Sequence, residues 1–163
     1  MITFKSMALV CATLLASSAF AQDCASPLPI SSEGGPNDHV AGDLCSATNT
    51  LPTLGGTPSP GPDIIYSFVA QGANATLTFT QGSEGTWNGQ LAGIYLMPAC
   101  TQATDPTNFG FAGTPMVVNG LTDGQTYYIV VNADSTAPAG TCGTFEVDVT
   151  GTLPVGLASF TVE

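Results

Sequence analysis

Two short stretches, Asn74 to Thr80 (NATLTFT) and Thr144 to Thr150 (TFEVDVT), alternate apolar and polar residues with a strict period of two. Successive side chains of an extended chain point to opposite sides, so Ala75, Leu77 and Phe79 share one face while Asn74, Thr76, Thr78 and Thr80 share the other. Phe145, Val147 and Val149 are set against Glu146 and Asp148 in the same way. A helix cannot use that pattern, and a half-buried strand requires it. Further apolar runs occupy Asp63 to Ala70 (DIIYSFVA), Gln90 to Met97 (QLAGIYLM), Met116 to Asn119 and Tyr127 to Asn132, each bounded by Gly, Pro, Asn or Asp. Short strands parted by turn residues, with no sustained helical period beyond the first 22 residues, predict an all-β antiparallel β-sandwich of jelly-roll-like arrangement.

One junction shows how the chain turns between strands. In GLTDGQTYYIVV, residues 120 to 131, Asp123-Gly124 supplies the turn, and alternation then puts Tyr127, Ile129 and Val131 on one face with Tyr128, Val130 and Asn132 on the other. Leu121 and Tyr127 have the spacing of a tyrosine corner, in which the ring is buried and its hydroxyl bonds back to nearby backbone. A catalytic tyrosine would need a neighbouring base, and none is near in sequence.

The first 21 residues, MITFKSMALVCATLLASSAFA, read as a cleavable signal peptide: Lys5, an apolar run from Met7 to Leu15, then small residues and an Ala19-Phe20-Ala21 cleavage site. The run is shorter than the ~20 residues a membrane helix needs, so no membrane span is expected. Residues 22–62 form a disulfide-closed N-terminal segment ending in the Pro/Gly linker LPTLGGTPSPGP, 63–152 the sandwich core, and 153–163 (LPVGLASFTVE) a C-terminal edge segment. Cys24, Cys45, Cys100 and Cys142 remain after cleavage. Four cysteines in an exported chain read as two disulfides with three connectivities; spacing favours Cys24 with Cys45 and Cys100 with Cys142.

Charge narrows the function classes. Lys5 is the only Lys or Arg, against 12 Asp and Glu, so the chain beyond the leader holds nothing to clamp a phosphate. Nucleic acid and anionic membrane surfaces, which are bound through Lys and Arg, are therefore not expected partners.

From Cys24 through Val149, carried by the segments GDLCSATNTLP, PDIIYSFVA, LAGIYLMPAC, GLTDGQTYYIVV and CGTFEVDV in that order, the chain resembles the bacterial pre-peptidase C-terminal domain and its secreted relatives. The resemblance implies a jelly-roll-like sandwich of a kind appended to secreted hydrolases or surface proteins and not itself catalytic. None of these 163 residues resembles a peptidase.

Residue chemistry agrees with a noncatalytic role. His39 is the single histidine, no GxSxG elbow is present, oxidised cysteines cannot attack, and a chain without a mature lysine forms no Schiff base. Paired carboxylates for glycoside hydrolysis are decided by geometry that spacing does not reveal, and enzymes of that class are larger. Two binding readings remain. In QGSEGTWNGQ, residues 81 to 90, Trp87 and Asn88 offer a flat ring beside an amide, a way to seat a sugar, with Tyr128 a second candidate ring; the simpler reading folds Trp87 over the core. Asp38, Asp43 and Asp63 offer hard oxygen ligands for calcium, though without a DxDxDG loop, and solvated carboxylates are the simpler reading. No other cofactor is expected. The sequence thus predicts a secreted, extracellular or cell-surface binding module with a glycan or protein partner, carbohydrate being the first choice. The alternative is a structural subunit of an extracellular assembly, pairing through Val155, Leu157, Phe160 and Val162. Its oligomeric state is left open.

Overall fold

A computed structural model describes residues 23–30, 37–87, 92–133, 137–138 and 140–151, without the side chains of 37 and 38. The predicted leader and the C-terminal segment, with Val155, Leu157, Phe160 and Val162, lie outside the described residues. The strands are β1 (Leu28–Pro29), β2 (Asn37–Asp43), β3 (Thr53–Leu54), β4 (Thr57–Pro58), β5 (Asp63–Val69), β6 (Asn74–Gly85), β7 (Ala92–Met97), β8 (Asn108–Phe111), β9 (Met116–Asn119), β10 (Thr126–Ala133) and β11 (Gly143–Thr150). They build a five-stranded sheet in the order β1-β5-β10-β7-β8 and a four-stranded sheet in the order β2-β11-β6-β9, with β3 and β4 forming a separate small hairpin. The chain crosses repeatedly from one sheet to the other, and the two sheets pack as a sandwich. Every named pairing is antiparallel except β1 with β5, which is parallel.

The period-two strands fill the space between the sheets as alternation requires. Leu77 and Phe79 of β6 and Phe145, Val147 and Val149 of β11 face Ile64, Tyr66 and Phe68 of β5, Ile94 and Leu96 of β7, and Tyr127, Ile129 and Val131 of β10. Phe145 anchors the centre, 6.0 Å from the Phe79 ring and edge-on to Tyr66 at 6.3 Å. Burial pushes the Tyr66 hydroxyl up to about 12, so it stays neutral and donates to the Ala41 carbonyl at 3.3 Å. The tyrosine corner forms as its spacing implied: Tyr127 is buried, stacks on Phe68 at 5.9 Å, and its hydroxyl accepts from the Thr122 N–H at 3.0 Å.

The strand β6 runs to Gly85, past the expected end at Thr80, because its second half stays paired with β11 as far as Gly85 and Gly143. Gly82 permits this, since a Cβ there would sit 2.1 Å from the Thr144 hydroxyl. The Asn-Asp-Gly-rich β2, which shows no apolar period of its own, is drawn into the four-stranded sheet by β11, with Val40 opposite Val147.

The disulfides differ from the pairing that spacing favoured. Cys24 is joined to Cys100 and Cys45 to Cys142, with Cα–Cα distances of 5.3 and 4.8 Å; the expected Cys24–Cys45 and Cys100–Cys142 bridges are not formed. Strand register is the reason. Asp43 of β2 lies opposite Thr144 of β11, and that antiparallel register, continued two residues, sets Cys45 against Cys142. Cys24 instead lies with the five-stranded sheet, whose strand β7 leads to Cys100. Such bridges form and persist outside the reducing cytoplasm, which makes this an extracytoplasmic fold. Peptide mapping under non-reducing conditions, with cleavage at aromatic or acidic residues, is expected to recover Cys24 linked to Cys100 and Cys45 linked to Cys142; a Cys24–Cys45 peptide would refute the register argument.

Candidate functional site

The five-stranded sheet is apolar on both sides. Alternation that sends Ile64, Tyr66, Ile129 and Val131 inward sends Ile65, Val130 and Met97 outward, and these three are fully buried as well. Their cover is the N-terminal segment before β5, which lays Leu51 and Leu54 over them and is flanked by Tyr95, Tyr128 and the Cys24–Cys100 bridge.

A buried carboxylate fastens this strap. Asp63, 1 % exposed at the start of β5, accepts from the Thr50 and Leu51 backbone N–H groups at 2.7 and 2.6 Å, and Asn132 of β10 donates to its other oxygen. The Asp63 N–H in turn donates to the Thr48 carbonyl at 3.0 Å. Burial raises the Asp63 pKa, and the hydrogen bonds from Leu51, Asn132 and Thr50 oppose that shift without cancelling it. Further along, the Asn49 amide donates to the Ser59 carbonyl at 2.7 Å and closes the base of the β3–β4 hairpin.

The strap stops short of the sheet edge. Between the hairpin and edge strand β8 lies an open groove of about 380 Å³ lined by Leu54, Gly55, Thr57, Pro58, Ser59, Tyr95, Asp105, Pro106, Phe109 and Phe111. Its three rings share one face by register: Tyr95 lies opposite Phe109, and Gly93 opposite Phe111. The absence of a side chain at Gly93 lets the Tyr95 ring lie back along its own strand, where a Cβ would meet the ring at 2.9 Å. Phe109 and Phe111 meet edge to face at 5.6 Å. Phe109 is 63 % exposed, an unusual position for a ring of that size unless something covers it. The hairpin tip, Gly55-Gly56, has positive φ at both residues, and Asp105 with Pro106 packs directly onto Gly55. A 460 Å³ hollow on the outer face of the four-stranded sheet has no comparable open ring, since its Phe145 belongs to the core.

The candidates read from the sequence do not converge. Trp87 is 6 % exposed, lies against the Gly143 backbone and donates its indole N–H to the Thr144 carbonyl at 3.3 Å. It packs in the core and has no open face for a sugar. Asn88 and the Asp38 side chain lie outside the described residues. Tyr128 is partly covered beneath the strap, away from the groove. Asp43 accepts from the Cys45 N–H at 2.8 Å and caps a 3₁₀ turn at Leu44–Ser46, while Asp63 fastens the strap; they serve separate local tasks. Among the described residues no three His, Cys, Asp or Glu side chains gather as metal ligands. His39 is exposed on the outer face of the four-stranded sheet, its Nδ1 3.0 Å from Asp148. The groove rings escaped the sequence reading because TDPTNFGFAGTP looks like a turn-rich connection; its one signal was Phe-Gly-Phe, two rings on one side of a short strand.

No protein-family model matches the sequence, and no curated protein matches it. Three solved structures are similar to it to the following extent. The Aeromonas hydrophila protein PliG, a periplasmic lysozyme inhibitor of g-type lysozyme, aligns with a TM-score of 0.50 at 12 % identity, covering 76 % of this chain and 93 % of that one. The Yersinia pseudotuberculosis-derived mitogen aligns with a TM-score of 0.45 at 8 % identity over 70 % and 84 %. The pre-peptidase C-terminal domain of Bacillus anthracis collagenase aligns with a TM-score of 0.43 at 20 % identity over 76 % and 93 %. What the chain has in common with PliG is the β-sandwich.

Two stability measurements test this account. Gly56→Ala meets open space and carries only the left-handed backbone penalty of about 1 kcal/mol, whereas Gly55→Ala also drives a Cβ into Asp105 and Pro106 and is expected to cost clearly more. Equal losses in chemical denaturation would mean that the hairpin tip is not packed on Asp105. For Asp63, a raised pKa means that the folded state favours the proton. Its contribution is fully present below the unfolded carboxyl value of about 3.9 and is lost as pH rises through the folded value. The stability difference between wild type and Asp63→Asn should therefore shift against the wild type as pH rises from about 4 towards neutrality; a shift in the opposite direction would contradict the burial argument.

Proposed function

We propose that this protein is a secreted, noncatalytic binding module whose ligand seat is the aromatic groove along β8, and that the ligand is a glycan. The observation that carries this reading is Phe109, a large ring left 63 % exposed beside Phe111 and Tyr95 in a concave site. Flat rings stack against the apolar faces of sugar rings, and hydroxyl and carboxylate groups at the margin hold sugar hydroxyls; Ser59, Thr57 and Asp105 supply such groups at the groove. A volume of about 380 Å³ falls within the roughly 300–1,000 Å³ of small-ligand sites. The carbohydrate reading thus moves from Trp87, whose face is covered, to a groove in which Phe109 is exposed. A noncatalytic role is favoured by the separation of the chemically versatile groups: His39 is on an outer sheet face, Asp63 is engaged by the strap, and the four described cysteines are in disulfides. PliG, a lysozyme inhibitor of similar fold, supports only the idea that such a sandwich can act by binding.

The alternative, an assembly subunit, is favoured by a second exposed residue. Val117 on edge strand β9 is 60 % exposed, and β9 lies beside β8, so the two sheets present apolar groups along neighbouring edges. Size-exclusion chromatography of the full chain and of a chain lacking residues 153–163 tests that reading, which requires the full chain to associate and the shortened one not to.

For the groove, Phe109→Ala is expected to change stability by no more than about 0.5 kcal/mol and to abolish binding of oligosaccharides measured by calorimetry or a glycan array. Trp87→Ala should instead cost about 3 to 5 kcal/mol, through lost burial and the cavity left behind. If Phe109→Ala retains full glycan binding, the groove is not the seat.

A further inference from the structure

Resting on the glycan reading of the groove, we infer that the sugars it takes carry free amino groups, so that their ammonium cations sit against Tyr95, Phe109 and Phe111 with Asp105 as the counter-charge. Three features of the site converge on a cation. The first is the rings. An aromatic face is electrostatically negative, and a cation held within about 6 Å of its centre is attracted to it. Tyr95 and Phe109 are cross-strand partners, and Phe111 meets Phe109 edge to face at 5.6 Å, so two planes at a steep angle stand beside a third ring. A neutral sugar needs one flat face. Rings set at steep angles suit a compact charge, which can lie on the face of one and beside the next.

The second feature is Asp105. It lines the groove three residues ahead of β8, against the glycine hairpin tip, and its carboxylate oxygen lies close to where a Gly55 Cβ would be. Gly55 thus leaves space for the carboxylate, and the packing of Asp105 and Pro106 on the tip fixes where the charge stands. Neighbouring Thr57 and Ser59 can accept from the remaining ammonium hydrogens or from ring hydroxyls.

The third feature is the charge of the chain. No Lys or Arg occurs after Lys5, and the formal net charge is −11, so no basic side chain of this protein competes for Asp105 or repels a cation approaching the groove. The summed field concentrates cations near the surface and speeds their capture. The same field gives an uncharged N-acetylated sugar no advantage. Glycans with free amines are therefore the class that the rings, the carboxylate and the whole-chain charge all favour.

The test uses the full mature chain in calorimetric titrations at about pH 5.5, where carboxylates are ionised and sugar amines protonated. The ligands are a glucosamine tetrasaccharide and its fully N-acetylated counterpart, with tetramethylammonium as a cation that is not a sugar. The expected result is binding of the glucosamine oligomer about tenfold tighter than its acetylated form. Asp105→Asn should reduce that preference while leaving the weaker binding of the acetylated form in place, and Phe109→Ala should abolish binding of both. Raising the salt concentration should weaken the glucosamine oligomer alone. Equal affinity for the two oligomers overturns the cation inference and leaves the glycan reading standing. Binding of tetramethylammonium with no binding of either oligomer overturns the amino-sugar assignment and the glycan reading together. A preference for the glucosamine oligomer that Asp105→Asn leaves undiminished overturns the role given to that carboxylate.

Discussion

A sheet that is apolar on both faces cannot stand at the surface of a sandwich, and most of this structure follows from that constraint. Sandwich strands ordinarily bury one face and leave the other in water. Here Ile65, Val130 and Met97 point away from the main core and still require burial. The residues before β5 are therefore recruited as a lid. The Asp63 carboxylate fixes that lid by taking the N–H groups of Thr50 and Leu51, which would otherwise be buried without partners. The Cys24–Cys100 bridge fixes its far end. The groove is what remains where the lid runs out, at β7 and β8, and its aromatic lining continues the same apolar face past the edge of its cover.

The interior of the sandwich was legible in the sequence because alternation is a direct consequence of strand geometry. Leu77, Phe79, Val147 and Val149 lie where a period of two puts them, and the Leu121–Tyr127 corner closes through the Thr122 N–H as its spacing implied. Less legible was everything that depends on a partner far along the chain. The two-residue strands β1, β3 and β4 are too short to show a period, and β2 reads as loop until β11 is beside it. The disulfides were misjudged for the same reason: distance along the sequence carries no information about which strands are neighbours, and the β2–β11 register decides the Cys45–Cys142 bridge.

The candidate site shows the same division. Trp87 drew notice as the single tryptophan in a polar loop, yet indoles have a large area to bury, and Gly143 gives this one a bare stretch of backbone to lie on. By residue type Asp63 is either a hard oxygen ligand or a solvated carboxylate, whereas its surroundings make it a fastening for backbone N–H groups. Phe109 and Phe111 were passed over as part of a connection between strands. Only the pairing of β8 with β7 turns them towards Tyr95, and no local pattern encodes that pairing.

The two crosslinks also settle how the molecule carries mechanical load. Tension applied at residue 23 and at residue 151 runs along the backbone from Cys24 to Cys45, crosses the bridge to Cys142 and leaves through β11. The other covalent route, from Cys24 across to Cys100 and on to Cys142, is longer and stays slack. Pulling can strip β1, β2 and β11 from their sheets, but residues 46 to 141 lie off the taut path, and the hairpin, β7 and β8 are among them. A tethered copy of this domain would keep its groove assembled under forces that had already unravelled its first strands.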